Sequence, residues 1–96
     1  MARKTVAMPR AKARYVLEIL GQSIPVRDWS EASNAVAAIR DRTRAGASEM
    51  GAEFPIYERL PGGEEILVAY VSYNAKVWKG KPGDWPDVEL IYDPYA

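Results

Sequence analysis

The chain has 96 residues, with 13 basic and 13 acidic side chains and neither cysteine nor histidine. That length makes one domain whose core can stand without disulfides. The composition excludes disulfides, thiolate zinc sites, cysteine nucleophiles and serine–histidine catalysis. A balanced charge also argues against a dedicated DNA mimic and against a strongly basic nucleic-acid binder.

The charge is nevertheless polarised. Residues 1–17 carry Arg3, Lys4, Arg10, Lys12 and Arg14 with no acid, whereas residues 84–96 carry Asp84, Asp87, Glu89 and Asp93 with no base. No apolar run approaches the roughly 18 residues of a membrane span. The basic N-terminus lacks the apolar stretch of a signal peptide. A cytoplasmic protein without a membrane partner is expected.

In chain order, residues 1–12 show no sustained period and contain Pro9, which reads as a flexible basic arm ahead of a single domain over 13–96. Residues 13–20, ARYVLEIL, are apolar on both alternating faces, the pattern of a strand buried on both sides. Gly21 to Pro25 ends it, with Ile24 to Val26 prolonging the extended chain. Asp28-Trp29-Ser30-Glu31 is a capping-box pattern, with Ser30 as the rival cap. Ala32, Ala35, Val36, Ile39 and Thr43 then recur at three- and four-residue spacing, which predicts a helix over 30–45 with one alanine-rich apolar face. Gly46 is its expected C-cap.

Glu53 to Arg59 predicts a short strand that lies at an edge, or starts at Ile56, because Pro55 cannot donate to a ladder. Leu60-Pro61-Gly62-Gly63-Glu64 is a turn, joining it to the next strand as an antiparallel hairpin. Beyond it, Leu67, Ala69, Val71, Tyr73, Ala75 and Val77 are apolar in unbroken alternation. That favours one long strand through Trp78, either regular or bulged at Asn74. The rival is a hairpin turning at Asn74-Ala75, which alanine resists because the turn needs positive φ. KGKPGDWP is a loop, and Val88 to Tyr92 a last strand. The expected fold is α+β in two layers: one helix on a three- to four-stranded, mainly antiparallel sheet, in the order β-α-β-β-β.

A continuous strand would line up Tyr70, Ser72, Asn74, Lys76 and Trp78 on the face away from the core. Exposed tyrosine and tryptophan among polar groups suit a protein interface, most simply a homodimer pairing these faces; a solvated face with two scattered aromatics is the plainer reading. The alternative site is the arm, whose Arg3, Lys4, Arg10, Lys12 and Arg14 could neutralise nucleic-acid phosphates. No helix-turn-helix pair accompanies it. The C-terminal acids lack the ligand spacing of a calcium loop, and Gly62-Gly63 has no lysine–serine or lysine–threonine pair after it as a phosphate loop would. No metal, cofactor or catalytic residue is expected.

Gly63-Glu64-Glu65, Val68-Ala69-Tyr70-Val71 and Ser72-Tyr73-Asn74-Ala75-Lys76-Val77-Trp78 together resemble a segment of short phage and plasmid proteins that reads Ser-Tyr-Asn-Gly-Arg-Val-Trp or close to it. Ala32-Ser33 and Gly46-Ala47-Ser48 fit the same likeness, which spans residues 30–80. Ala75 departs from it where the family carries glycine. The resemblance implies a non-enzymatic accessory factor of a phage or mobile element, of the kind that inhibits host defence systems such as CRISPR.

Overall fold

The computed structural model describes residues 14–44 and 46–96, so the expected arm over 1–12 lies outside the described residues. The elements are β1 (Tyr15–Ile19), β2 (Gln22–Val26), α1 (Trp29–Thr43), α2 (Ala47–Met50), β3 (Glu53–Arg59), β4 (Glu65–Ser72), β5 (Val77–Lys79) and β6 (Glu89–Tyr92). The strands form one antiparallel sheet in the order β2-β1-β3-β4-β5-β6. The fold is thus α+β, but with six strands rather than three or four, and with two hairpins where single strands were expected. Among the described residues, no helix is long and apolar enough to cross a membrane.

The first extra strand arises at Leu20-Gly21. Both residues have positive φ, at 51° and 75°, the requirement of a two-residue type I′ turn. The turn pairs Ile19 with Gln22 and folds residues 22–26 back along β1 as an edge strand. Proline is at home in such a strand, so Pro25 does not end it. The expected prolongation over Ile24 to Val26 is β2 itself.

Helix α1 begins as the sequence predicts. The Asp28 carboxylate accepts the Glu31 N–H at 2.9 Å, and Glu31 in turn accepts the Arg27 N–H at 2.8 Å. Ala32, Val36 and Ile39 are buried against the sheet, while Thr43 turns back to its own helix and donates to the Ile39 carbonyl. The C-cap is Arg44, left-handed at φ 56°, with its N–H on the Arg40 carbonyl. Gly46 instead precedes the short α2.

Beneath α1, Leu17, Ile19, Val26, Phe54, Ile56, Ala69, Val71 and Val77 complete the core, closed at one end by Met50 of α2. Burying each valine- or isoleucine-sized side chain is worth roughly 1.5–3 kcal/mol. Two corrections concern register. Pro55 stands inside β3, between β1 and β4, and the ladder to β1 ends at the Leu17–Ile56 pair just before it. In β4, Ala69 pairs with Ile56 but Leu67 with Tyr57, so Val68 is an extra, bulged residue. A bulge shifts the alternation by one. Val68, rather than Leu67, therefore packs on the core.

Candidate functional site

The continuous strand over 70–78 does not form. β4 stops at Ser72, and Tyr73-Asn74-Ala75 make a three-residue turn. Ala75 N–H donates to the Ser72 carbonyl at 2.8 Å, and Ser72 N–H to the Lys76 carbonyl at 2.9 Å. Ala75 occupies the left-handed position at φ 70°, where a side chain costs about 1–2 kcal/mol and glycine is usual. Tertiary contacts offset that cost. Ser33 Oγ of α1 donates to the Ala75 carbonyl at 2.7 Å, Arg40 Nη1 donates to the Tyr73 carbonyl at 2.9 Å, and Tyr73 N–H reaches the Ala52 carbonyl at 2.9 Å. The neighbouring Tyr95 side chain is the main reason the Arg40 pKa is raised.

The turn dismantles the proposed row of five. Tyr70 lies on the face away from α1 but is only 2% exposed. Burial raises its phenol pKa, and the neighbouring Glu53 and Asp84 add to the shift. Ser72 Oγ accepts the Trp78 indole N–H at 3.0 Å and lies within hydrogen-bonding reach of Asn74 Oδ1 and of the Lys76 carbonyl. Asn74 is exposed at the tip of the turn, and its Oδ1 also accepts the Lys76 N–H at 3.3 Å. Lys76 Nζ stands 4.0 Å from Asp93. Of the five, Tyr70 and Trp78 do meet, as a cross-strand pair of β4 and β5. The other three build the turn.

The arm residues Arg3, Lys4, Arg10 and Lys12 lie outside the described residues. Arg14 is described and exposed, and both its Nε and Nη2 donate to Glu58, at 3.1 and 3.0 Å. Its charge is matched within the domain.

A different surface emerges beside Trp78. Its cross-strand partner on β6 is Leu90, so the two side chains share the face opposite α1. The 80–88 loop folds over the same face and sets Trp85 edge-on to Trp78, with ring centroids 5.2 Å apart. Trp85 is 62% exposed and Leu90 41%. Gly80 makes the loop's return possible, since it holds φ 141° and a Cβ there would lie 2.6 Å from Val88 Cγ1. Asp84 and Asp87 of the loop are exposed, whereas Glu89, paired with Lys79, lies on the other face of the sheet by alternation. Among the described residues β6 ends the sheet, so one side of this strand has no neighbour in it.

Trp85 was visible in the sequence as one of several C-terminal aromatics, but nothing local marks it as the exposed member. Tyr92, from the same segment, packs on the core. Leu90 was legible only as one residue of an ordinary strand. Comparison with known proteins returns no matching family model, no matching curated protein and no matching solved structure.

Proposed function

We infer that this is a non-enzymatic protein-binding module whose contact surface is the Trp78–Trp85–Leu90 patch at the β6 end of the sheet. The observation that carries the reading is the pairing of two large, exposed apolar side chains, Trp85 and Leu90, on either side of a third ring. Leu20 and Ile66 are also exposed, but they belong to a turn and to the opposite end of β4. Scattered apolar residues are ordinary on a surface, whereas two neighbouring tryptophans with an exposed leucine beside them offer the large aromatic anchor of a binding hot spot.

The burial of Tyr70 removes the main anchor of a homodimer through the row of five, so we assign the surface to a foreign protein. The likeness of the 72–78 segment to phage and plasmid proteins supports a mobile-element accessory factor, with a component of host defence as the kind of target. A chain without histidine or cysteine fits a role in binding rather than catalysis.

The test is affinity capture from the native host with the wild type and with Trp85→Glu/Leu90→Glu, alongside Leu20→Glu as a remote control. The reading expects a protein retained by the wild type and the control and lost by the double variant. Retention by all three would overturn it.

A further inference from the structure

The Trp78–Trp85 pair stands beside carboxylates that the described part of the domain leaves unpaired. Asp87 N–H donates to the Asp84 carbonyl at 2.7 Å, so residues 84–87 close a turn in which one acid precedes Trp85 and another follows Pro86. Of the four acids in residues 84–96, Asp93 has Lys76 Nζ at 4.0 Å, and Glu89 is opposite Lys79 in the ladder. Asp84 and Asp87 are exposed and make no ion pair among the described residues. Glu53 is a third such carboxylate. It is the cross-strand partner of Ser72, whose hydroxyl accepts the Trp78 indole N–H at 3.0 Å. The only base within the 80–88 loop is Lys81.

Tyr70 links these acids. It is the cross-strand partner of Trp78, and Glu53 and Asp84 are the two charges that act on its phenol. Only 2% of the residue is exposed, and its hydroxyl makes no hydrogen bond among the described residues. A buried phenol ordinarily has a partner. Access from solvent is through Glu53, Asp84 and Trp85, which are all exposed.

An open indole, unpaired carboxylates and an unsatisfied hydroxyl have one complement in common, a flat cation rich in donors. Guanidinium is planar, stacks on aromatic faces and carries five N–H donors, whereas an ammonium is a compact and strongly hydrated charge. Phosphate is repelled by the same carboxylates. We propose that the partner seats an arginine side chain at this point, its guanidinium lying over Trp85 and bridging the Asp84 carboxylate and the Tyr70 hydroxyl, with Asp87 and Glu53 adding to the attraction. The partner is then a protein that presents a basic surface. The assignment rests on the reading of Trp78–Trp85–Leu90 as the contact surface and names what that surface selects.

The test is an NMR titration of the full-length, isotope-enriched protein with the capped tripeptide acetyl-Gly-Arg-Gly-amide and with its citrulline and lysine analogues. The arginine peptide should shift the Trp85 indole N–H and the Asp84 and Asp87 amides saturably. Citrulline, which keeps the shape without the charge, should leave them in place, and lysine should act several-fold more weakly. Asp84→Asn/Asp87→Asn and, separately, Tyr70→Phe should each weaken the arginine response several-fold in a folded protein. No saturable shift, an equal response to citrulline, or a shift of the same signals by a single-stranded oligonucleotide would overturn the proposal. Against the captured partner, binding lost by Trp85→Glu/Leu90→Glu but kept by Asp84→Asn/Asp87→Asn would overturn the arginine assignment alone. Binding kept by both variants would remove the contact surface itself.

Discussion

Ser33 and Ala75 are 42 residues apart in the chain, yet the Ser33 hydroxyl donates to the Ala75 carbonyl at 2.7 Å in a fully buried bond. The bond ties the second turn of the helix to an alanine that holds a left-handed turn, and it explains how a hairpin closes there without glycine. Removing the hydroxyl leaves a buried carbonyl unpaired, which costs about 1–3 kcal/mol. Ser33→Ala is therefore expected to lower stability by that amount in urea denaturation, with the loss concentrated in the β4–β5 hairpin by hydrogen exchange.

Ala75→Gly should by contrast be close to neutral. Glycine relieves about 1–2 kcal/mol of left-handed strain but gives up a buried methyl worth about 1 kcal/mol and adds backbone freedom to the unfolded chain. Ala75→Val, β-branched in the same conformation, should destabilise by several kcal/mol. Equal stabilities for alanine and valine at this position would show that the turn is not left-handed there.

At the other hairpin, Leu20 sits exposed at φ 51°. Asparagine tolerates this conformation and forms type I′ turns with a following glycine. Leu20→Asn should raise stability by about 0.5–1 kcal/mol, measured as a higher urea midpoint at unchanged slope.

How much of this was legible in the sequence follows from where each determinant lies. The helix was readable because its cap and its apolar period are local: Asp28, Glu31, Ala32, Val36 and Ile39 fall within a dozen residues. The two missed turns depend on something else. At 20–21 leucine occupies a position where asparagine would have announced the turn. At 73–75 the alternation of Val71, Tyr73, Ala75 and Val77 runs unbroken through a reversal fixed by Ser33 and Arg40, which lie far away in the chain. The candidate site inherited that error, since five residues on one strand become one buried phenol, one half-buried indole and a hydrogen-bonded turn. Trp85 and Leu90 come together only because the 80–88 loop returns at Gly80.

That return gives a fourth prediction. Gly80→Ala meets both an unfavourable φ and the Val88 side chain, so it should displace the loop and separate Trp85 from Trp78. The expected signature is loss of near-ultraviolet circular dichroism from the tryptophan pair with the far-ultraviolet spectrum retained.

The buried Tyr70 makes alkaline stability diagnostic. Its folded-state pKa lies above the ordinary tyrosine value because burial, and then Glu53 and Asp84, disfavour the phenolate. The folded state therefore keeps its proton when the unfolded chain has begun to lose it above about pH 10. The contribution is constant below that pH, and stability falls as pH rises toward the folded pKa. Tyr70→Phe should flatten that alkaline decline. In an absorbance titration of the folded wild type, the signal lost on Tyr70→Phe should be one that ionises above the ordinary tyrosine value.

The most direct measurement of the binding surface is the affinity of the captured partner for purified wild type and for Trp85→Ala, by calorimetry at matched salt. A hot-spot tryptophan loses at least about 2 kcal/mol on truncation, so a roughly thirtyfold or greater weakening is predicted, with Tm little changed because Trp85 is mostly exposed. Unchanged affinity in a folded Trp85→Ala protein would contradict the assignment of this patch.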